Sequence, residues 1–95
     1  MQKLDELPIP DATRFDSHSR EIARVWVAGG KQWASLATGI WEDPAAWGIM
    51  LVDLARHIAD SYARDEGRSH SEVLARIKEG FDAEWEQPTD EPKGM

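Results

Sequence analysis

The chain has 95 residues, no cysteine, five tryptophans and a formal net charge of −7. That length supports one small domain, and the apolar fraction of 41% is enough for a folded core. The lack of cysteine excludes disulfides and thiolate metal sites. The negative charge opposes phosphate backbones and anionic lipids, and no apolar run is long enough for a signal peptide or a spanning helix. We therefore expect a cytoplasmic protein that binds neither nucleic acid nor membrane.

Residues 1–19 mix charged residues with Pro8 and Pro10, which disfavour helix and central strand, and this pattern predicts an extended N-terminal arm. Leu7 and Ile9 are expected to fill a groove on the domain, and a mobile tail is the alternative. Residues 20–87 are predicted to form a single α+β domain. The acidic residues 88–95 predict a disordered tail.

Two segments rich in β-branched and aromatic residues flank Gly29 and Gly30, and predict a β-hairpin with a two-residue turn. A two-residue turn fixes the register and places Trp26 opposite Trp33. In this register both faces of the hairpin carry apolar side chains. The face with the smaller side chains is expected to pack against a helix; it carries Ala23, Val25, Val27, Ala34 and Leu36. The other face is predicted to be an exposed interaction surface, and the alternative is that the arm or the second helix covers it. This face comprises Ile22, Arg24, Trp26, Trp33 and Ser35.

Asp43 and Pro44 predict the start of a long helix that ends at Gly67, because an aspartate caps free amides and proline suits a first helical position. Trp41, before the cap, is expected to pack against the first turn at Trp47. Helical spacing predicts a core face on this helix, made of Trp47, Leu51, Leu54, Ile58 and Tyr62.

A second helix is predicted to start at Ser69, which forms a capping-box pattern with Glu72, although Ser71 is a rival start. Pro88 ends it. Its apolar stripe comprises Val73, Leu74, Ile77, Phe81 and Trp85. The two helices are expected to pack antiparallel through a strip of small residues on the first helix, Gly48, Ala55 and Ala59, and near Gly80 on the second. The predicted fold class is α+β: a β-hairpin followed by two antiparallel helices (ββαα), with the extended arm in front.

No spacing of residues predicts catalysis, a cofactor or a metal site. His57 lies one helical turn after Asp53, but such a pair on a polar helix face is typical of a surface contact. His18 and His70 share no ligand spacing with another histidine. The acidic residues around Glu84 alternate along a helix, so they do not form a calcium loop.

Residues spread over most of the chain form a pattern similar to that of a protein family. The set is Val27-Ala28-Gly29-Gly30, Gln32, Ser35-Leu36, Trp41, Asp43-Pro44-Ala45-Ala46-Trp47-Gly48, Asp53-Leu54-Ala55-Arg56-His57 and Phe81-Asp82-Ala83-Glu84-Trp85. It resembles a small uncharacterised, mostly alphaproteobacterial family described only as a domain of unknown function. The resemblance extends from Leu7 to about Pro88 and is most specific between Trp41 and His57. It implies a soluble bacterial protein and no particular reaction.

From these patterns we expect a non-catalytic interaction module that forms a homodimer through its hairpin and binds a further protein that the sequence does not identify. Exposed aromatic side chains grouped with an arginine are typical of interfaces. The alternative is a small-ligand binding protein or enzyme with a tryptophan-lined pocket, in which Arg24, Gln32 or His57 supplies polar contacts.

Overall fold

The computed structural model describes residues 4–88, in which a short 3₁₀ helix, two strands and two α-helices follow one another along the chain. The α+β class and the ββαα order are therefore confirmed. The chain divides into two compact units, one ending at Ala37 and the other beginning at Thr38. The expected single domain over residues 20–87 stays a prediction. The tail expected over residues 88–95 lies outside the described residues, apart from Pro88.

The N-terminal arm is not extended throughout. Asp11–Phe15 form a 3₁₀ helix that follows Pro10, and the amide and hydroxyl of Thr13 both donate to the Pro10 carbonyl. Proline lacks only a donor, so its carbonyl can still accept these two bonds. Leu7 is 91% exposed and Ile9 is also exposed, so the expectation that they fill a groove is wrong.

The hairpin consists of β1, Ala23–Ala28, and β2, Lys31–Leu36, paired antiparallel. Its register pairs Trp26 with Trp33, as predicted. Gly29 and Gly30 have φ angles of 61° and 74°, which is the backbone that a two-residue turn requires and that glycine adopts without a steric penalty.

The long helix α1, Ala45–Glu66, begins and ends as predicted. Asp43 accepts a hydrogen bond from the Ala45 amide at 3.0 Å, and Pro44 already has helical angles. The rings of Trp41 and Trp47 meet edge to face at 4.9 Å in front of this turn. At the other end, Gly67 has a φ of 65° and its amide caps the Ala63 carbonyl.

The second helix, α2, spans His70–Glu86. The Ser69 hydroxyl accepts from the Glu72 amide at 3.3 Å, so the cap is Ser69 and not its rival Ser71. A three-residue connection turns the chain back, and α2 packs against α1. None of the described helices is both long and apolar enough to cross a membrane.

The helix packing uses small side chains. Ala59 on α1 and Val73 on α2 are the buried apolar residues among residues 4–88, and Ala55 is half-buried one turn before Ala59. Of the predicted strip of Gly48, Ala55 and Ala59, the two alanines are therefore buried or half-buried as expected. Gly48 and Gly80 do not belong to it, because a Cβ placed on either glycine would meet nothing within 4 Å.

Candidate interaction surface

The five hairpin residues singled out from the sequence lie close together. Strand pairing places Trp26 beside Trp33 and Arg24 beside Ser35, and Ile22 lies just before β1, where its carbonyl accepts from the Ala37 amide. Because side chains alternate between the faces of a strand, residues 22, 24 and 26 share a face with residues 33 and 35. These five positions therefore lie on one face of the hairpin.

The two tryptophans of this surface differ in exposure. Trp33 remains 43% exposed, and its indole Nε1 donates to the Ala28 carbonyl at 3.0 Å. Trp26 is half-buried and lines a groove between β1 and the N-terminal arm. The hydrogen bond holds the Trp33 ring against the hairpin, so a partner would meet a ring whose orientation is largely set before binding.

Arg24 is held by two carboxylates. Its Nε donates to Glu21 at 3.0 Å, and its Nη1 donates to Glu6 of the arm at 3.1 Å. The hydrogen bond and charge of Glu21, with a further contribution from the charge of Glu6, raise the pKa of Arg24 above its ordinary value, so the guanidinium stays protonated. Arg24 therefore anchors the arm to β1, and part of its donor capacity is already in use.

The opposite face of the hairpin is more open than expected. Val25 is 59% and Val27 is 78% exposed, and Leu36 is exposed on the neighbouring strand. The tryptophan face was expected to be the accessible one. Trp33 is also exposed on that face, whereas Trp26 is half-buried beside the arm. The alternation of valines in β1 was the sequence signal for this second apolar surface.

The groove beside β1 has a volume of about 820 Å³. The arm contributes residues on both sides of Pro8, and β1 contributes Ala23 to Trp26. Its walls are mainly apolar, and the charged side chains that line it include Arg24 and its carboxylate partners Glu6 and Glu21. A groove of this size can accept a small molecule, although its open side leaves much of such a ligand in water.

The second compact unit, which begins at Thr38 and contains α1 and α2, is called the helix unit, and it also exposes apolar side chains. Leu51, Leu54 and Ile58 are 41–48% exposed, so much of the predicted core face of α1 is not buried by the residues that the structure describes. On α2 the rings of Phe81 and Trp85 stack at 5.6 Å, and Trp85 is 71% exposed although its helical position predicted burial. Periodicity identified the apolar stripes correctly, but the small residues at the helix contact leave the larger side chains outside it.

The histidines form contacts rather than a shared centre. His57 lies 3.3 Å from Asp53, and both side chains are largely exposed, as expected for a surface pair. His70 of α2 lies 2.9 Å from Asp60 of α1. The sequence did not reveal this second pair, because its two members belong to different helices. No group of three or more histidine or acidic side chains that suits a metal ion occurs in the part of the chain that the structure describes.

Other charged groups are paired along the helices. Lys78 donates to Asp82, at a distance of 2.7 Å. Asp82 is one of the acidic residues near Glu84 that were considered as calcium ligands. Arg76 contacts Glu79. Between the helices, the Arg68 guanidinium lies 5.2 Å from the centre of the Tyr62 ring. These contacts are typical of a solvated helix surface.

Comparison with known proteins identifies the family but no reaction. The chain is 36% identical to a protein of known structure described as a "putative pyruvate dehydrogenase from the photosynthetic bacterium Rhodopseudomonas palustrus". The two structures superpose with a TM-score of 0.75 over 98% of this chain and 95% of that one. No curated protein matches the chain. The sequence model of the family described as "Domain of unknown function (DUF5076)" matches residues 6–89, and the chain belongs to that family.

Proposed function

We propose that the protein is a non-catalytic interaction module that acts as a homodimer joined through its hairpin. One observation carries the proposal: the two-stranded sheet exposes large apolar side chains on both faces, Val25 and Val27 on one and Trp33 on the other. A two-stranded sheet is marginal in water, and contiguous exposed apolar surface is typical of an interface. A second hairpin supplies both additional strands and apolar cover.

The helix unit supports the same conclusion. In residues 4–88 the buried apolar side chains are those of Ala59 and Val73, whereas Leu51, Leu54 and Ile58 remain exposed. Ordering a residue costs roughly 1–2 kcal/mol of backbone entropy, and burial of apolar surface is the main compensation. A chain with so few buried side chains gains stability from any partner that covers more of them.

The experiment compares the native protein with a Trp26→Arg, Trp33→Glu double variant by light scattering and sedimentation at micromolar concentrations. We expect a native dimer and a monomeric variant, because the charged side chains would have to be buried in the interface. The control is an Arg76→Glu, Glu79→Arg double variant, which reverses an exposed ion pair on α2 and leaves the net charge unchanged.

Circular dichroism of each variant shows whether its helices are retained, so that loss of the dimer is not confused with loss of the fold. A native monomer across the concentration range would refute the homodimer. A folded double variant that stays dimeric would show that the interface does not depend on the tryptophan face.

The groove beside β1 favours a second candidate function, the binding of a small ligand. Trp26 and Arg24 both line this groove, so a ligand there would contact an aromatic ring and a charged group. A metabolite screen read by tryptophan fluorescence tests this candidate: a saturable change that Trp26→Phe removes would support it. The pyruvate dehydrogenase description belongs to the Rhodopseudomonas protein, and no geometry within residues 4–88 carries it to this chain.

A further inference from the structure

The backbone of β2 has an open outer edge. Ala37 donates its amide to the Ile22 carbonyl at 2.9 Å, which makes these two residues a hydrogen-bonded pair of the ladder. Hydrogen-bonded and non-hydrogen-bonded pairs alternate in an antiparallel ladder, so the inward-facing residues of β2 are 31, 33 and 35. Gln32, Ala34 and Leu36 therefore direct their amides and carbonyls away from β1.

The two edges of the sheet differ in their surroundings. The arm lies beside β1, where its residues line the groove and Glu6 binds Arg24. Across the described residues the sheet contains β1 and β2 alone, so the outer edge of β2 has no strand partner. Proteins usually protect such an edge with proline, a bulge or inward-pointing charges, but β2 contains none of these, and its one charge, Lys31, lies next to the turn.

We propose that β2 pairs antiparallel with β2 of a second copy around a two-fold axis at Ala34, which gives a four-stranded sheet in the order β1, β2, β2, β1. This inference rests on the proposed homodimer and specifies its edge and register. Centring the pair on Ala34 gives all three outward residues a partner, because Gln32 then lies opposite Leu36 of the second copy. Centring it on Trp33 would place Leu36 opposite Gly30, which lies in the turn.

The side chains fit this register. The methyl groups of the two Ala34 residues meet at the axis and leave room for close approach of the strands. On the tryptophan face, Trp33 lies opposite Ser35 of the second copy and diagonal to its Trp33, at roughly 7–8 Å between backbones, which aromatic rings can span. Lys31 lies opposite Ala37, so no like charges face each other. The pairing thus brings Trp33 of each copy beside Ser35 of the other on the tryptophan face.

Single cysteines test the register, because the chain has no cysteine of its own. We compare Ala34→Cys with Val25→Cys, since these residues face each other across the hairpin and share a sheet face. In the proposed sheet the backbones at position 34 of the two copies lie about 5.5 Å apart, within disulfide range. The backbones at position 25 lie three strand spacings apart, roughly 14 Å, which is too far for a disulfide.

Under mild oxidation of the dimer, we expect Ala34→Cys to convert largely into a covalent dimer and Val25→Cys to remain uncrosslinked. If native protein is dimeric but Ala34→Cys fails to crosslink, or crosslinks no faster than Val25→Cys, the edge pairing is wrong while the homodimer stands. A monomeric native protein refutes both. A third outcome is that the Trp26→Arg, Trp33→Glu variant is monomeric and Ala34→Cys does not crosslink. This outcome would assign the interface to the faces of the sheet rather than to the edge of β2.

Discussion

At the scale of single residues, the positions that the sequence predicted best are those whose partners lie within four residues. Asp43 caps the start of α1, and Ser69 caps α2 in preference to Ser71. The 3₁₀ turn after Pro10 is equally local and was nevertheless missed. The reason is that proline disfavours a helix that contains it but not one that follows it, because the Pro10 carbonyl still accepts the two bonds from Thr13.

The Asp43 cap provides a stability prediction. Asp43→Ala removes the acceptor for the Ala45 amide, and we expect the free energy of unfolding to fall by about 1 kcal/mol, the usual effect of losing a cap. Urea denaturation measures the change. The control is Glu42→Ala, which makes the same change in charge at the preceding exposed residue and is expected to alter stability by less than about 0.5 kcal/mol. An unchanged midpoint for Asp43→Ala would mean that its bond contributes nothing to the helix start.

At the scale of elements, both strands and both α-helices occur where the pattern predicted them, but the side that each one buries is less predictable. Periodicity places Leu51, Leu54 and Ile58 on one arc, and the structure leaves this arc exposed while Ala59 is fully buried. The spacing of apolar residues cannot decide which of these two neighbouring sides of α1 packs against α2, because both sides follow the 3.6-residue repeat. The choice depends on which side allows the closer approach, and here alanines allow it.

The close contact at Ala59 leads to a prediction for the helix pair. Ala59→Leu adds bulk to a fully buried position, and we expect a loss of about 1–3 kcal/mol in the free energy of unfolding through overpacking. The control is Ala75→Leu, the same exchange at an exposed position of α2, where the helix propensities of alanine and leucine differ little. Equal effects of the two substitutions in urea denaturation would show that the helices can separate without loss of stability.

At the scale of the whole molecule, the amount of exposed apolar surface is the dominant feature. Both compact units carry large exposed side chains, such as Val27 on the hairpin and Trp85 on α2. The composition includes five tryptophans and an apolar fraction of 41%, so apolar groups are not scarce. Within residues 4–88 many of these groups are left uncovered, and this is the reason that we propose a homodimer.

A homodimer predicts that stability depends on protein concentration. If unfolding separates the two chains, each tenfold rise in concentration stabilises the folded state by about 1.4 kcal/mol by mass action. We therefore expect urea midpoints and melting temperatures to rise steadily as the concentration is raised from low micromolar values upward. The Trp26→Arg, Trp33→Glu variant is the control, because a monomer unfolds at a midpoint independent of concentration. The same independence in the native protein would contradict the proposal.

The sequence by itself determined the two strands, the two α-helices with their caps, the register of the hairpin and the grouping of Arg24, Trp26, Trp33 and Ser35 on one face. These features depend on hydrogen bonds between near neighbours and on the fixed periods of strand and helix, both of which are properties of a short segment. Only the tertiary structure decided how exposed each apolar face is, and only it brought together Asp60 with His70 and Glu6 with Arg24. Such contacts join residues far apart in the chain, and their formation depends on the packing of whole elements rather than on any local pattern.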